Sequence, residues 1–273
     1  MATPAIRTAA IMARGLGTRM RRPDEAASLD AGQSAAADTG IKGMIPIRRP
    51  FLEYLLSALA DAGLTEVVLV IGPEHDAVRR YFTVEAPPRR VRVRFAIQQE
   101  PRGTADAVLA AAAEIGDAPF LVLNADNYYP VAAYAALAAE ATPGTIAFDR
   151  DALVADGAID PERVRAFAVL SVSPEGMLSG IVEKPGALLD LTSPEARWVG
   201  MNLWAVTPAI VEACRRVPRS ARGEQELPEA VGLAVREGVP VRAIPMAATV
   251  LDLSQRADIA GVTARLASVE PHP

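Results

Sequence analysis

The sequence predicts an α/β fold: a doubly wound, mainly parallel sheet with helices on both faces and a small inserted β-rich subregion. Three observations predict it. Through the first half, short apolar runs of β type alternate with segments of helix length, the rhythm of βαβ units covered on both sides. After about residue 145 the runs follow one another with turns between them, as added strands would. No linker rich in Pro, Gly or Ser divides the 273 residues and no internal repeat is present, so one domain over 1–273 is expected.

The first strand is expected in "RTAAIM", and the turn "ARGLGTR" follows it. Residues 24–40, "DEAASLDAGQSAAADTG", are small and polar, with a single Leu and no aromatic. They read as a mobile loop insertion or a short frayed helix, either a lid over a ligand or an exposed insertion without function. In "FLEYLLSALADAG" the spacing of Leu52, Leu55, Leu56 and Leu59 predicts a helix that Gly63 stops. Strands "EVVLVIG", "VRVRFAI" and "PFLVLNAD" alternate with helical "EHDAVRRYF" and "GTADAVLAAAAEIG". The β-rich part, about 145–206, holds "RAFAVLSV", "LSGIVEKP" and "VGMNLWAV". The helices "TPAIVEACRRV", "ELPEAVGLAVREG" and "SQRADIAGVTARLASV" follow.

Composition excludes several function classes. A chain that is 51% hydrophobic and 22% charged is of the soluble globular kind, and a formal charge of -5 argues against a nucleic-acid partner, which would require a basic surface. The single Cys214 has no partner for a disulfide and no metal-ligand neighbours in "VEACRRVP", so a reducing, cytoplasmic compartment is expected. "IRTAAIMA" is too short for an export signal, and no apolar stretch is long enough to span a membrane.

The chemistry concentrates in a few stretches. In "GLGTR" the glycines let backbone N–H groups approach an anion, and Thr18 and Arg19 add a hydroxyl and a guanidinium. The loop is neither a P-loop nor a dinucleotide fingerprint, because Met20 stands where either pattern requires Gly. Of the 28 Lys and Arg only Lys42 and Lys184 are lysine, in "IKGMIPI" and "VEKP". An ammonium is a compact point charge and a guanidinium a rigid fork, so the two do not interchange at a phosphoryl-transfer site. Asn124, Asn127 and Asn202 are the only asparagines, and the first two flank Asp126.

Together these stretches resemble the sugar-1-phosphate nucleotidyltransferases, particularly the short glucose-1-phosphate thymidylyl- and uridylyltransferases. The G-x-G-T-R loop is Gly15 to Arg19, and the Lys ahead of a "LPI…P" stretch is Lys42 in "KGMIPIRRP". The Q-x-x-P-x-G segment has Gln98, Pro101 and Gly103 in "QQEPRGTADAV", and Asp-Asn is Asp126-Asn127. E-K-P is Glu183-Lys184-Pro185. "SARGEQELPEAV" is similar to the "RGE-x-E" helix entry and "VLDLSQRADI" to the terminal Asp segment. The seven motifs keep their order over residues 6 to 265.

The resemblance implies a GT-A-like architecture on this Rossmann-like sheet, and an enzyme that joins a nucleoside triphosphate to a sugar 1-phosphate with loss of pyrophosphate. Arg19, Lys42 and Asp126 would be catalytic. Ala13, Gly15, Leu16, Gly17, Thr18, Arg19, Gln98, Gly103, Thr104 and Asp126 would bind the nucleotide, with dTTP or UTP favoured. Asn127, Phe167, Ala168, Glu183, Lys184 and Asn202 would bind the sugar phosphate. Asp126 and Asp252 would hold Mg²⁺, a hard cation that takes few protein ligands and keeps phosphate and water; alternatively Asp252 caps the helix that follows it. Homo-oligomers are usual in the family, but no apolar face of this sequence assigns a symmetry.

The sequence also departs from the family pattern. Arg14 stands where Gly or Ala is usual, Phe167-Ala168 replaces Tyr-Gly, Asn202 occupies a common glycine position, and no Gly follows Asp252. Most of these positions would line the sugar pocket, so an amino or deoxy sugar, a cyclitol phosphate or a phosphonate are alternative acceptors. A cytidylyl- or guanylyltransferase and a binding homologue without turnover are the competing readings.

Overall fold

The computed structural model describes residues 5–155, 157, 159–186, 190 and 192–273; positions 156, 158, 187–189 and 191 of the β-rich part lie outside the described residues. The apolar runs become β1 (Thr8–Met12), β2 (Glu66–Ile71), β3 (Arg92–Ile97) and β4 (Phe120–Asn124). They are parallel neighbours in the order β3-β2-β1-β4. Residues Val67 to Ile71 of β2 are all buried, which is why this run shows no polar alternation.

The remaining strands are β5 (Asn127–Tyr128), β6 (Gly144–Asp149), β7 (Ala168–Val172), β8 (Leu178–Val182), β9 (Trp198–Val206), β10 (Arg242–Met246) and β11 (Leu251–Asp252), all but β5 and β11 in the same sheet. β9 pairs antiparallel with β4 and β6, and β10 closes the edge parallel to β6. The β-rich part is continuous with this sheet, because the hairpin β7–β8 pairs onto the first half of β9. β5 and β11 form a separate two-stranded antiparallel pair. Sequence pattern does not mark β10, which contains Pro245; the missing N–H is tolerated because β10 is an edge strand.

Helices cover both faces. Phe51–Asp61 and Val131–Ala138 pack on one, where β1 turns Ala9 and Ile11 and β4 turns Leu121 and Leu123. Thr104–Ile115, Pro208–Arg216 and Leu227–Arg236 pack on the other, against Ala10, Phe120, Val122 and Trp204. Each strand therefore sends alternate side chains to two cores. Among the described residues no helix is long and apolar enough to cross a membrane.

Within 24–40 residues Ala31–Thr39 form a short helix, the second of the two alternatives, but closed at both ends rather than frayed. Asp30 accepts from the Gln33 N–H at 2.7 Å while the Gln33 side chain accepts from the Asp30 N–H, a reciprocal cap that offsets the segment's weak amphipathic pattern. Gly40 then ends the helix in the left-handed region, at φ 75°. Gln33 also donates to the Pro46 carbonyl at 3.2 Å, and Asp38 pairs with Arg256.

Candidate active site

Strand order reverses between β1 and β4: the chain runs outward from β1 through β2 to β3 and then returns to β4 on the other side. An open α/β sheet forms its ligand crevice at the carboxyl ends of such strands. A cavity of about 330 Å³ lies there. The turn after β1 contributes Ala13, Gly15, Leu16, Gly17, Thr18 and Arg19 to its wall. The segment after β3 contributes Gln98, Gly103 and Thr104, the turn after β4 contributes Asp126, and the 3₁₀ turn Lys42–Met44 contributes Lys42. All the residues that the sequence assigned to the nucleotide thus line one cavity, Lys42 with them.

Two glycines are required by close approach. Gly17 has φ 61°, and a Cβ on it would overlap the backbone of Gly40, so the loop is seated directly on the end of the Ala31–Thr39 helix. Gly103 has φ 122°, and a Cβ there would overlap the backbone of Gln225. This seam is hydrogen-bonded: Gln225 N–H donates to the Arg102 carbonyl at 2.8 Å, Ala105 N–H to the Gln225 carbonyl at 2.9 Å, and Leu227 N–H to Thr104 Oγ1 at 2.8 Å. It docks the "RGEQE" segment beside Gly103 and Thr104 and places Glu224 in the cavity wall.

Lys42 Nζ donates to Asp126 Oδ2 at 2.7 Å, with the two side chains 16% and 19% exposed. This joins one of the chain's two lysines to the acid that follows β4. β11 lies antiparallel to β5 with Asp252 opposite Asn127, and the Leu253 N–H donates to the Asp126 carbonyl at 2.8 Å. Two carboxylates remote in sequence are therefore held on adjoining backbone. Asn127 Nδ2 donates to Asp252 Oδ1 at 3.1 Å, and Asn124 Nδ2 to Asn127 Oδ1 at 3.3 Å, so the asparagines that flank Asp126 form a chain ending on Asp252. Burial, and then the charge of Asp126, push the Asp252 carboxyl up to about 6. Asp252 does not cap the following helix, whose N-cap Ala257 has no side-chain cap.

Among the described residues no group of three or more His, Cys, Asp or Glu side chains could hold a metal ion. The Asp126–Asp252 pair nonetheless fits a hard cation that takes few protein ligands. It supplies two carboxylates, and a divalent charge would offset the burial and the repulsion from Asp126 that together raise Asp252. Arg163, which sequence reasoning missed, partly meets this need. It pairs with Asp252 and donates to Asp258 at 2.6 Å.

The residues assigned to the sugar phosphate do not line the 330 Å³ cavity. Glu183 and Lys184 follow β8, 3.3 Å apart, and Arg222, which pairs with Glu226, lies 4.0 Å from Glu183. The E-K-P and "RGEQE" motifs thus share one charged cluster. Lys184 has φ 46° although Pro185 follows it, a costly conformation of the kind that accumulates at ligand sites. Asn202 has φ 58° where β9 bulges between its pairings with Thr145 and Ala147; asparagine tolerates this region best after glycine, which explains its place at a common glycine position. Ala168 pairs with Gly200 and its side chain belongs to the core, while Phe167 packs against the opposite core. Cys214 is buried, with its thiol pushed up to about 12, and is inert.

The sequence pattern of the nucleotidyl transferase family matches residues 39–257. The chain belongs to this family. Among curated nucleotidyl transferases it is 27% identical over 256 residues to the UTP–glucose-1-phosphate uridylyltransferase AglF of Haloferax volcanii, covering 92% of each chain. It is 27% identical over 237 residues to the glucose-1-phosphate thymidylyltransferase of Streptomyces antibioticus, covering 86% of this chain and 59% of that one. The fold is similar to that of a UDP-glucose pyrophosphorylase solved with UDP-glucose, with a TM-score of 0.75 and 17% identity over 97% of this chain and 100% of that one. The resemblance read from the sequence, its GT-A-like fold and its enzyme class, a nucleotidyltransferase, all stand.

Proposed function

We propose that the protein transfers a nucleotidyl group from a nucleoside triphosphate, dTTP or UTP by preference, to a sugar 1-phosphate, with Mg²⁺ as cofactor. One observation carries this: the Lys42–Asp126 pair stands in the same cavity wall as the glycine loop, at the strand-order reversal. A phosphate oxygen of the acceptor attacks the α-phosphorus in line; the new O–P bond forms as the bond to the β-phosphate oxygen breaks, and pyrophosphate leaves with that electron pair. Both reactants are polyanions, so the residues act by positioning and neutralising charge. The glycine-loop N–H groups and Arg19 hold the triphosphate, and Lys42 meets charge at the α-phosphate. Lys184 grips the acceptor phosphate and Glu183 accepts from sugar hydroxyls. Asp126 and Asp252 would hold the metal ion, which supplies further charge neutralisation at the phosphates when bound.

The test is a panel of sugar 1-phosphates with UTP, dTTP, CTP, GTP and ATP, read by pyrophosphate release. Turnover with at least one pairing is expected, highest with UTP or dTTP. Lys42→Ala and Asp126→Asn should each lower kcat by about 10²- to 10³-fold while nucleotide still raises the melting temperature. Absence of pyrophosphate from every pairing would overturn the reading.

A further inference from the structure

Arg14 departs from the family pattern, and its surroundings give the departure a use. Its side chain leaves the end of β1 and lies over Gly72, just beyond β2, where a Cβ would overlap Nε. It is 9% exposed and lines the cavity. Nη2 donates to Glu74 at 3.3 Å, but the buried Nε and Nη1 have no partner among the described residues. A guanidinium is permanently charged and only donates, so buried N–H groups of this kind call for an acceptor supplied by a ligand.

Gln98 stands beside it, because the Gln98 N–H donates to the Ile71 carbonyl at 2.9 Å, immediately before Gly72. Its side-chain Nε2 donates to the Gly103 carbonyl at 3.0 Å and to Asp106 at 2.8 Å. Both amide hydrogens are engaged, and Oε1 remains as an acceptor. Arg14 and Gln98 thus both line the cavity at its β2–β3 end, the first with donors left over and the second with an acceptor. The Lys42–Asp126 pair lies beyond β4, on the far side of β1.

We infer that Arg14 is a base-reading residue whose guanidinium donates to a ring carbonyl oxygen, selecting uracil, thymine or guanine against cytosine and adenine. The inference rests on the function proposed above and assigns its base class. The keto bases set a C=O beside a ring N–H, which matches Arg14 as donor and Gln98 Oε1 as acceptor. Cytosine and adenine set an amino donor against the guanidinium and a bare ring nitrogen against the Gln98 oxygen. Both contacts then fail together.

The test compares the full-length chain with Arg14→Ala and Arg14→Gln, measuring kcat/KM for the five triphosphates and the melting-temperature shift each produces. The wild-type chain should favour UTP, dTTP or GTP. Arg14→Ala should shrink that preference over CTP and ATP by about ten- to a hundredfold, through loss on the keto triphosphates, with KM for the sugar 1-phosphate unchanged. Arg14→Gln keeps a stem over Gly72 and can accept as well as donate, so it should admit CTP or ATP relative to the wild-type chain. Equal loss on all five triphosphates, unchanged selectivity, or a wild-type preference for CTP or ATP would each overturn the inference. If both variants fail to fold, equal melting-temperature shifts of the wild-type chain with all five would overturn it too. Failure of every pairing to release pyrophosphate would sink the transferase reading, and the binding shifts would still judge Arg14.

Discussion

Glu183 is partly buried beside two cations, and the burial dominates: its carboxyl is held above the usual glutamate range, against the pull of Lys184 and Arg222. A carboxylate that accepts from sugar hydroxyls must be ionised, and it takes up a proton as pH falls through its raised pKa. At saturating nucleotide, kcat/KM for the sugar 1-phosphate should therefore fall on the acid side at a pH above the ordinary value of 4.5. Glu183→Gln should lower kcat/KM and remove this acid limb. An identical limb in the variant would assign it to the substrate phosphate. Lys184 and Asn202 make a related point, since a left-handed backbone at non-glycine residues persists only where the surroundings enforce it.

The Ala31–Thr39 helix is the element on which the glycine loop rests. Gly40, its closing residue, touches Gly17 and lines the cavity, while Arg256 holds Asp38 at the same end. Fraying at either end should therefore loosen the glycine loop rather than the sheet. Asp30→Ala removes the reciprocal cap and should lower stability by about 1 kcal/mol, read as a drop in melting temperature. It should also raise KM for the triphosphate severalfold. Deleting 24–40 should raise it further, and an unchanged KM in both would reduce the segment to an insertion without function.

Across the whole molecule, the distinctive feature is that β11 returns the end of the chain to β5, setting Asp252 beside the residue after Asp126. Ionising Asp252 there is opposed by burial and by Asp126, so a bound divalent cation should stabilise the fold. With nucleotide present, adding Mg²⁺ should raise the melting temperature and a chelator should reverse the rise. Asp252→Asn should abolish most of the Mg²⁺-dependent shift while leaving that due to nucleotide alone. A full shift in the variant would remove Asp252 from the metal site.

The sequence by itself determined the parallel sheet, the glycine loop after its first strand, the chain's two lysines and the acid at the end of "PFLVLNAD". Each is local: a buried run, a turn chemistry or a rare residue type is readable wherever it stands. The capped helix within 31–39 was harder to read, because its reciprocal cap competes with a weak apolar pattern. β10 was obscured by a proline that only an edge position tolerates. The tertiary structure alone decided that Asp252 meets Asn127, that Arg163 joins it, that "RGEQE" closes the cavity beside Gly103, and that Arg14 lies over Gly72 with two N–H groups unpartnered among the described residues. Those contacts join residues remote along the chain, and no local periodicity records which strands the sheet brings together.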